Sequence, residues 1–129
     1  MASIRREVAV QAEADRVWER LRDVAAAADL FPGVLVDSRL EGDCRIVTFA
    51  DGTVLRERIV DVDDTERRVV YAVLGDPFLH HSASMQIQRA TATTSRFIWV
   101  SDFLPDSLRA GIEPLVDAGT AAFVKRWAD

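Results

Sequence analysis

The hydrophobic and polar positions alternate in short runs over most of the chain, which is the pattern of β-strands with one buried face. These runs are rich in β-branched and aromatic residues, and turn signals such as Asp51-Gly52 separate them. The connections are too short to contain crossover helices, so we expect an antiparallel sheet. The predicted strands are IRREVAV (4–10), VLVDSRL (34–40), CRIVTFA (44–50), TVLRERIVDV (53–62), RVVYAVL (68–74), HHSASMQIQ (80–88) and SRFIWVSDF (95–103).

Two other segments repeat their apolar positions every three or four residues, which predicts amphipathic helices. The first runs from Ala14 to Ala28 and should end near the Phe-Pro-Gly of residues 31–33. The second follows the last strand, with a cap expected at Asp106 or Ser107 and a kink or restart at Pro114, where Gly111 loosens the same turn. Its apolar stripe consists of Leu108, Ile112, Leu115, Val116, Gly119, Phe123 and Trp127.

Composition narrows the class of protein. The chain has 129 residues, nearly half of them hydrophobic, so we expect one domain spanning residues 1–129. No apolar run is long enough to cross a bilayer and the N-terminus does not resemble a signal peptide, which makes a cytoplasmic location the default expectation. The formal net charge of −5 weighs against nucleic acid or an anionic membrane surface as partner.

The sequence shows no metal or cofactor motif. Its two histidines, His80 and His81, are adjacent and therefore point to opposite faces of a strand, while the single cysteine, Cys44, is distant. No glycine-rich phosphate loop, nucleophile elbow or zinc-binding helix motif is present. We interpret Cys44 as a small apolar strand residue, expect neither metal nor cofactor, and assign no catalytic residue.

One charged position conflicts with burial. In LRERI (55–59), Leu55, Glu57 and Ile59 share one strand face and two arginines share the other. Valines at 54, 60 and 62 also lie on the arginine side, but one carboxylate is easier to accommodate inside than two guanidinium groups. We therefore place Glu57 inward, although a β-bulge would reverse the phase and a position at a water-accessible edge stays open.

An inward Glu57 needs water, a hydrogen-bond partner or a ligand. Burial without a cation would raise the pKa of its carboxyl group, and a charged His81 would lower that pKa again. Alternation on the neighbouring strands gives further inward sets: Tyr71 and Val73; His81 and Met85; and Phe97, Trp99 and Phe103.

Three segments together resemble the helix-grip superfamily of START lipid-transfer domains, plant pathogenesis-related allergens and bacterial polyketide cyclase/dehydrase proteins. They are ADRVWERLRDVAAAADLFPGV, FADGTVLRERIVDVDDTERRVVYAV and SRFIWVSDFLP. The resemblance implies an α+β fold in which a curved antiparallel sheet of about seven strands wraps around a long C-terminal helix. It also implies two short helices after the first strand and an apolar cavity between sheet and helix.

With such a cavity, the inward sets predict a ligand-binding site. Its wall would consist of Leu55, Ile59, Val73, Met85, Phe97, Trp99 and Phe103, with Glu57, Tyr71 and His81 as polar groups and Phe31 near the rim. The first hypothesis is a binding module for a small hydrophobic or aromatic molecule that is lipid- or polyketide-like. The ligand would enter between the helix at 111–114 and the loop at 75–78. The plain alternative is a filled core.

Two further hypotheses stay open. One is an aromatase/cyclase-dehydratase acting on a polyketide-like substrate, with Glu57, Tyr71 or His81 as general acid or base. The other is a homodimer formed through exposed aromatic patches, for instance at Trp127.

Overall fold

The alternating runs form one antiparallel sheet. In the structure, a computed structural model that describes residues 2–128, seven strands lie in the order β1-β7-β6-β5-β4-β3-β2. Each strand pairs antiparallel with its neighbours. The strands are β1 (Ala2–Val10), β2 (Leu35–Glu41), β3 (Cys44–Phe49), β4 (Val54–Asp63), β5 (Arg68–Val73), β6 (His80–Arg89) and β7 (Ser95–Leu104).

The helical pattern between Ala14 and Ala28 is divided into two elements, so the prediction of one continuous helix is wrong. Helix α1 spans Ala14–Leu21, and a 3₁₀ helix follows at Val24–Leu30. Between them Asp23 has non-helical backbone angles (φ −80°, ψ 80°). The Ser38 side chain on β2 holds the second element, because its hydroxyl donates to the Ala25 carbonyl and accepts from the Ala28 N–H. These contacts align the 3₁₀ helix with the sheet edge rather than with α1.

The C-terminal helix α2 spans Arg109–Arg126 and continues through Pro114 without a restart. A short 3₁₀ turn at Asp106–Leu108 precedes it, so α2 begins after Leu108 and neither Asp106 nor Ser107 is its cap, contrary to expectation. The Phe123 ring stacks on Phe97 of β7, with ring centroids 3.9 Å apart and planes inclined by 10°. This stack fixes α2 against the inner face of the sheet.

A β-bulge in β4 changes the face assignment beyond Ile59. The register with β5 shifts between Ile59 and Asp61, so Ile59 and Val62 both pack against the core while Val60 is exposed. The inward face of Leu55, Glu57 and Ile59 precedes the bulge and keeps its predicted orientation. A curved seven-stranded sheet around a long C-terminal helix, with two short helical elements after β1, is the helix-grip fold that the resemblance implied.

Candidate functional site

A cavity of about 100 Å³ lies between the inner face of the sheet and α2. Two clusters of buried hydrophobic residues flank it, and Trp99 packs against both of them. Eight of the eleven predicted site residues line the cavity: Phe31, Leu55, Glu57, Tyr71, Val73, His81, Met85 and Trp99. Phe31 is buried between Trp99 and Phe123 rather than placed at an open rim.

The other three predicted residues belong to the core. Phe97 is fully buried beneath Phe123, Phe103 is fully buried against Phe78, and Ile59 packs at the edge of the larger hydrophobic cluster. They belong to the two hydrophobic clusters that flank the cavity and are not part of its wall. Strand alternation identifies the inner face but not how far along each strand the cavity extends, so it assigned these three side chains to the wall.

The sequence pattern did not predict the other residues that line the cavity. Two are polar: Arg45 on β3 and Ser101 on β7. Four lie on α2, where the sequence showed an apolar stripe without showing which part of it covers a void: Ile112, Leu115, Val116 and Gly119. The remaining lining side chains are apolar or aromatic and come from the 3₁₀ helix, β2, β3 and the loop before β6: Ala27, Val34, Leu35, Val47, Phe49 and Phe78.

Glu57 pairs inside the protein with Arg45. The Arg45 Nε donates to Glu57 Oε1 at 2.8 Å, and the two residues retain only 5% and 7% of their exposure. They lie directly opposite each other on β3 and β4. The Asp51-Gly52 signal alone misses this pairing by one residue. A two-residue turn would place residue 45 across from residue 58, but the loop has three residues, 50–52, and the Phe49 N–H donates to the Thr53 carbonyl. The expectation that guanidinium groups stay outside holds for Arg56 and Arg58, which are exposed.

Burial sets the electrostatics of this pair. Desolvation raises the pKa of the Glu57 carboxyl group, and the neighbouring Arg45 charge and hydrogen bond partly oppose that rise. The cation beside Glu57 is thus Arg45 and not His81. The Arg45 guanidinium also lies 5.1 Å from the centroid of the Tyr71 ring, in the range of a cation–π contact.

Tyr71 and Trp99 form a second polar contact in the cavity. The Trp99 Nε1–H donates to the Tyr71 Oη at 3.1 Å, which orients the indole across the space beneath α2. Burial raises the pKa of the Tyr71 hydroxyl, and the nearby Glu57 carboxylate raises it further. Tyr71 is therefore neutral at ordinary pH and keeps its proton.

His81 is held by the backbone of the neighbouring strand. The Val73 N–H donates to His81 Nδ1 at 3.0 Å, and burial lowers the pKa of the imidazole to about 4. A neutral imidazole that accepts at Nδ1 carries its proton on Nε2. The Phe78 ring contacts this imidazole edge-on, with centroids 4.9 Å apart. His81 thus presents a fixed N–H donor at the cavity, while His80 is exposed as expected.

The cavity approaches the surface beside the N-terminal half of α2. Leu115 is the most exposed lining side chain, at 45%, and it stands near the half-buried Ile112. Phe78, from the loop at 75–78, lines the same cavity. Both segments that were expected to border the mouth therefore contribute lining residues.

Trp127 does not form the exposed aromatic patch that the homodimer hypothesis suggested. It retains 4% of its exposure and belongs to the larger hydrophobic cluster. The guanidinium groups of Arg16 and Arg126 lie 5.4 and 4.7 Å from its ring centroid. This correction removes the residue on which that hypothesis was based.

Among residues 2–128, no group of three or more His, Cys, Asp and Glu side chains is arranged to hold a metal ion. Within the same range, no helix has the length and apolar character needed to span a membrane.

Solved structures with the same fold have low sequence identity to this chain. The protein XoxI from Bacillus cereus has 22% identity and a TM-score of 0.88, over 100% of this chain and 97% of its own. A START superfamily protein from Mycobacterium smegmatis has 11% identity and a TM-score of 0.80, over 98% and 97%. Norcoclaurine synthase from Thalictrum flavum, in complex with dopamine and hydroxybenzaldehyde, has 19% identity and a TM-score of 0.71, over 96% and 84%.

No curated protein matches the chain. A family model described as "Polyketide cyclase / dehydrase and lipid transport" matches residues 1–128, which is nearly the whole sequence. The chain therefore belongs to the polyketide cyclase/dehydrase and lipid transport family.

Proposed function

We propose that this protein binds a hydrophobic or aromatic small molecule, lipid- or polyketide-like, in the cavity between the sheet and α2. The observation that carries the proposal is the composition of the wall, which is mostly apolar and aromatic and includes a few fixed polar groups. That combination is typical of small-molecule sites. Membership of a family described by cyclisation, dehydration and lipid transport supports the same class of ligand.

The size of the cavity limits how the ligand sits. Its volume of about 100 Å³ is below the roughly 300–1,000 Å³ of pockets that enclose a whole drug-sized molecule. One ring or a short chain segment fits between Trp99 and the Arg45–Glu57 pair. The rest of a larger ligand extends past Leu115 to the mouth or displaces the α2 side chains there.

Native mass spectrometry of the purified protein, followed by denaturation and organic extraction, tests the proposal. We expect a defined additional mass that disappears on denaturation, or one that appears after incubation with aromatic or fatty probes. Trp99→Ala should weaken that binding, because the indole spans the cavity. An apo mass that no probe shifts would indicate that the inner face is only a core.

A second candidate is cyclisation and dehydration of a polyketide-like substrate, with Glu57 as general acid or base. The supporting observation is a buried carboxyl group of raised pKa that lines the cavity. Glu57→Gln should then abolish turnover while the variant still binds substrate, and wild-type turnover should show a bell-shaped pH profile. Full turnover by Glu57→Gln would contradict this role.

A further inference from the structure

The Tyr71 hydroxyl and the His81 imidazole have a common hydrogen-bonding property. Both line the cavity, and both already accept a hydrogen bond: Tyr71 from the Trp99 indole at 3.1 Å, and His81 from the Val73 backbone at 3.0 Å. Each side chain therefore has its own proton available to donate, Tyr71 through O–H and His81 through Nε2–H. Within residues 2–128, neither proton has a protein acceptor within hydrogen-bond distance.

The two donors are close together on the same sheet face. Tyr71 pairs with Ala83, so His81, two residues before Ala83, is its diagonal neighbour on β6. Their ring centroids are 6.0 Å apart. The Tyr71 hydroxyl is buried and His81 is half-buried, so an occupant of the cavity that supplies an acceptor would satisfy the buried Tyr71 donor and the neighbouring His81 donor together.

The chemistry of that occupant follows from the charge of the donors. Burial keeps both groups neutral, by lowering the pKa of His81 to about 4 and raising that of Tyr71. The Arg45 guanidinium in the cavity wall is already paired with Glu57, so the donors left for a ligand are neutral and cannot compensate the desolvation of a phosphate or sulfate. A carbonyl oxygen is uncharged, accepts two hydrogen bonds, and brings no proton that needs an acceptor of its own.

We infer that the cavity recognises a ketone- or aldehyde-type carbonyl oxygen of its ligand through the Tyr71 O–H and the His81 Nε2–H. This inference rests on the proposed binding function and specifies its ligand class. His81 acts here as a neutral hydrogen-bond donor. It is not a general base, because its only lone pair on nitrogen is engaged by the Val73 N–H.

The test uses two probes of nearly the same shape, acetophenone and α-methylstyrene, in which a C=O group is replaced by C=CH₂. Binding is followed by NMR through the indole Nε1–H signal of Trp99 and the backbone amides around the cavity. We expect acetophenone to bind about tenfold tighter or more, since each net hydrogen bond contributes roughly a two- to tenfold factor. We also expect the infrared carbonyl stretch of bound ¹³C-labelled acetophenone to move to lower frequency.

Two variants test whether the preference for acetophenone and the infrared shift depend on Tyr71 and His81. Tyr71→Phe and His81→Phe should each remove part of the preference and part of the infrared shift, while affinity for α-methylstyrene stays within about twofold of wild type. Ser82→Ala, on the opposite face of β6, is the matched control and should leave both readouts unchanged. The infrared shift reports on the carbonyl itself, which a merely structural role of Tyr71 or His81 would not move.

The outcomes separate the inference from the function on which it rests. Equal affinity for the two probes, or an unshifted carbonyl in the bound state, would overturn carbonyl recognition and leave hydrophobic binding intact. Failure of both probes to bind, together with an apo mass in the extraction experiment, would overturn the binding function and this inference with it.

Discussion

At the scale of single residues, Glu57 is a carboxyl group removed from water. It is buried beside one cation, Arg45, and the two share a hydrogen bond of 2.8 Å. A buried ion pair adds little to the free energy of unfolding, because removing both charges from water is costly. Deletion of one partner, however, leaves the other charge buried without compensation. The cost of removing Arg45 should therefore exceed the cost of removing a surface arginine.

The first prediction compares two arginines that both pair across strands. Arg45→Met should lower the free energy of unfolding by about 3–5 kcal/mol. Arg56→Met, which loses an exposed ion pair with Glu41, should lower the free energy of unfolding far less, because water screens that pair. The double variant Arg45→Met/Glu57→Leu should recover a large part of the loss, because it leaves no unpaired charge. Urea denaturation measures all three, and equal losses for the two single variants would contradict the buried pair.

The second prediction concerns pH. The His81 pKa is lowered from 6.5 to about 4, first by burial and then by the neighbouring His80, while Asp102 opposes the change. Between these values the native protein binds fewer protons than the unfolded chain, so the stability from His81 is complete above about pH 6.5 and is lost as the pH falls towards 4. Partial exposure limits this contribution to at most about 3 kcal/mol.

Denaturation curves at several pH values between 4 and 7 isolate the contribution of His81. His81→Gln should flatten the pH dependence of the unfolding free energy relative to wild type. His80→Gln removes the smaller of the two causes that lower the His81 pKa, so most of the slope due to His81 should remain. An unchanged slope in His81→Gln would show that this imidazole does not titrate with folding.

At the scale of elements, α2 packs closely over Trp99 of β7 at Gly119. A Cβ atom placed there would lie 2.9 Å from Cζ3 of the Trp99 indole, which is closer than a normal contact. The hydrogen bond to Tyr71 and the contact with Phe31 hold that indole in place. Glycine at this position thus allows the indole to lie under the helix and form one wall of the cavity.

The third prediction uses two glycines of the same helix. A Cβ at Gly111 meets nothing within 4 Å, so Gly111→Ala should stabilise the protein by up to about 1 kcal/mol through helix propensity. Gly119→Ala gains the same propensity but must displace Trp99, at a cost of roughly 1–3 kcal/mol. We therefore expect Gly119→Ala to be the less stable variant and to shift the Trp99 indole N–H resonance. Equal stability of both variants would contradict the close approach.

The sequence predicts the inner face and the pairing of a strand only where its local pattern of polar and apolar residues is clear. The clean alternation of β6 identifies its inner face. The Asp51-Gly52 signal identifies the β3–β4 hairpin but not its register, because the loop has three residues, 50–52, instead of two. Arg45 was missed because Cys44, Arg45, Ile46 and Val47 are all buried, so β3 shows no alternation to interpret. The break after α1 depends on Ser38, a distant residue, and on hydrogen bonds that no local periodicity encodes. Long-range contacts also decide which part of the α2 stripe covers the cavity.

At the scale of the whole molecule, the sheet and α2 meet along two hydrophobic clusters and leave the cavity between them. The clusters supply the packing that holds the fold, so the space between them can change without unfolding the protein. A ligand that enters this space binds only the native state and should therefore raise its stability. A side chain that fills the space should remove that effect while the fold remains.

The last prediction tests this separation with the same substitution at two positions of α2. Val116 lines the cavity, whereas the half-buried Val124 does not. With acetophenone at roughly ten times its Kd, the wild-type protein should gain about 1.4 kcal/mol and a melting temperature roughly 3–8 °C higher. Val116→Phe should abolish this gain, because its ring occupies the ligand space, and Val124→Phe should keep it.

Far-ultraviolet circular dichroism of the two apo variants provides the control for folding, since overpacking alone lowers stability by roughly 1–3 kcal/mol. If Val116→Phe is folded and still gains the full ligand-dependent stability, then acetophenone binds elsewhere on the protein. If instead Val116→Phe alone loses the gain, the ligand occupies the cavity beneath α2. Val116→Phe and Val124→Phe add the same ring to the same helix, so a difference between them reflects the position of the ring. Loss of the gain in Val116→Phe alone therefore means that its ring excludes the ligand from the cavity.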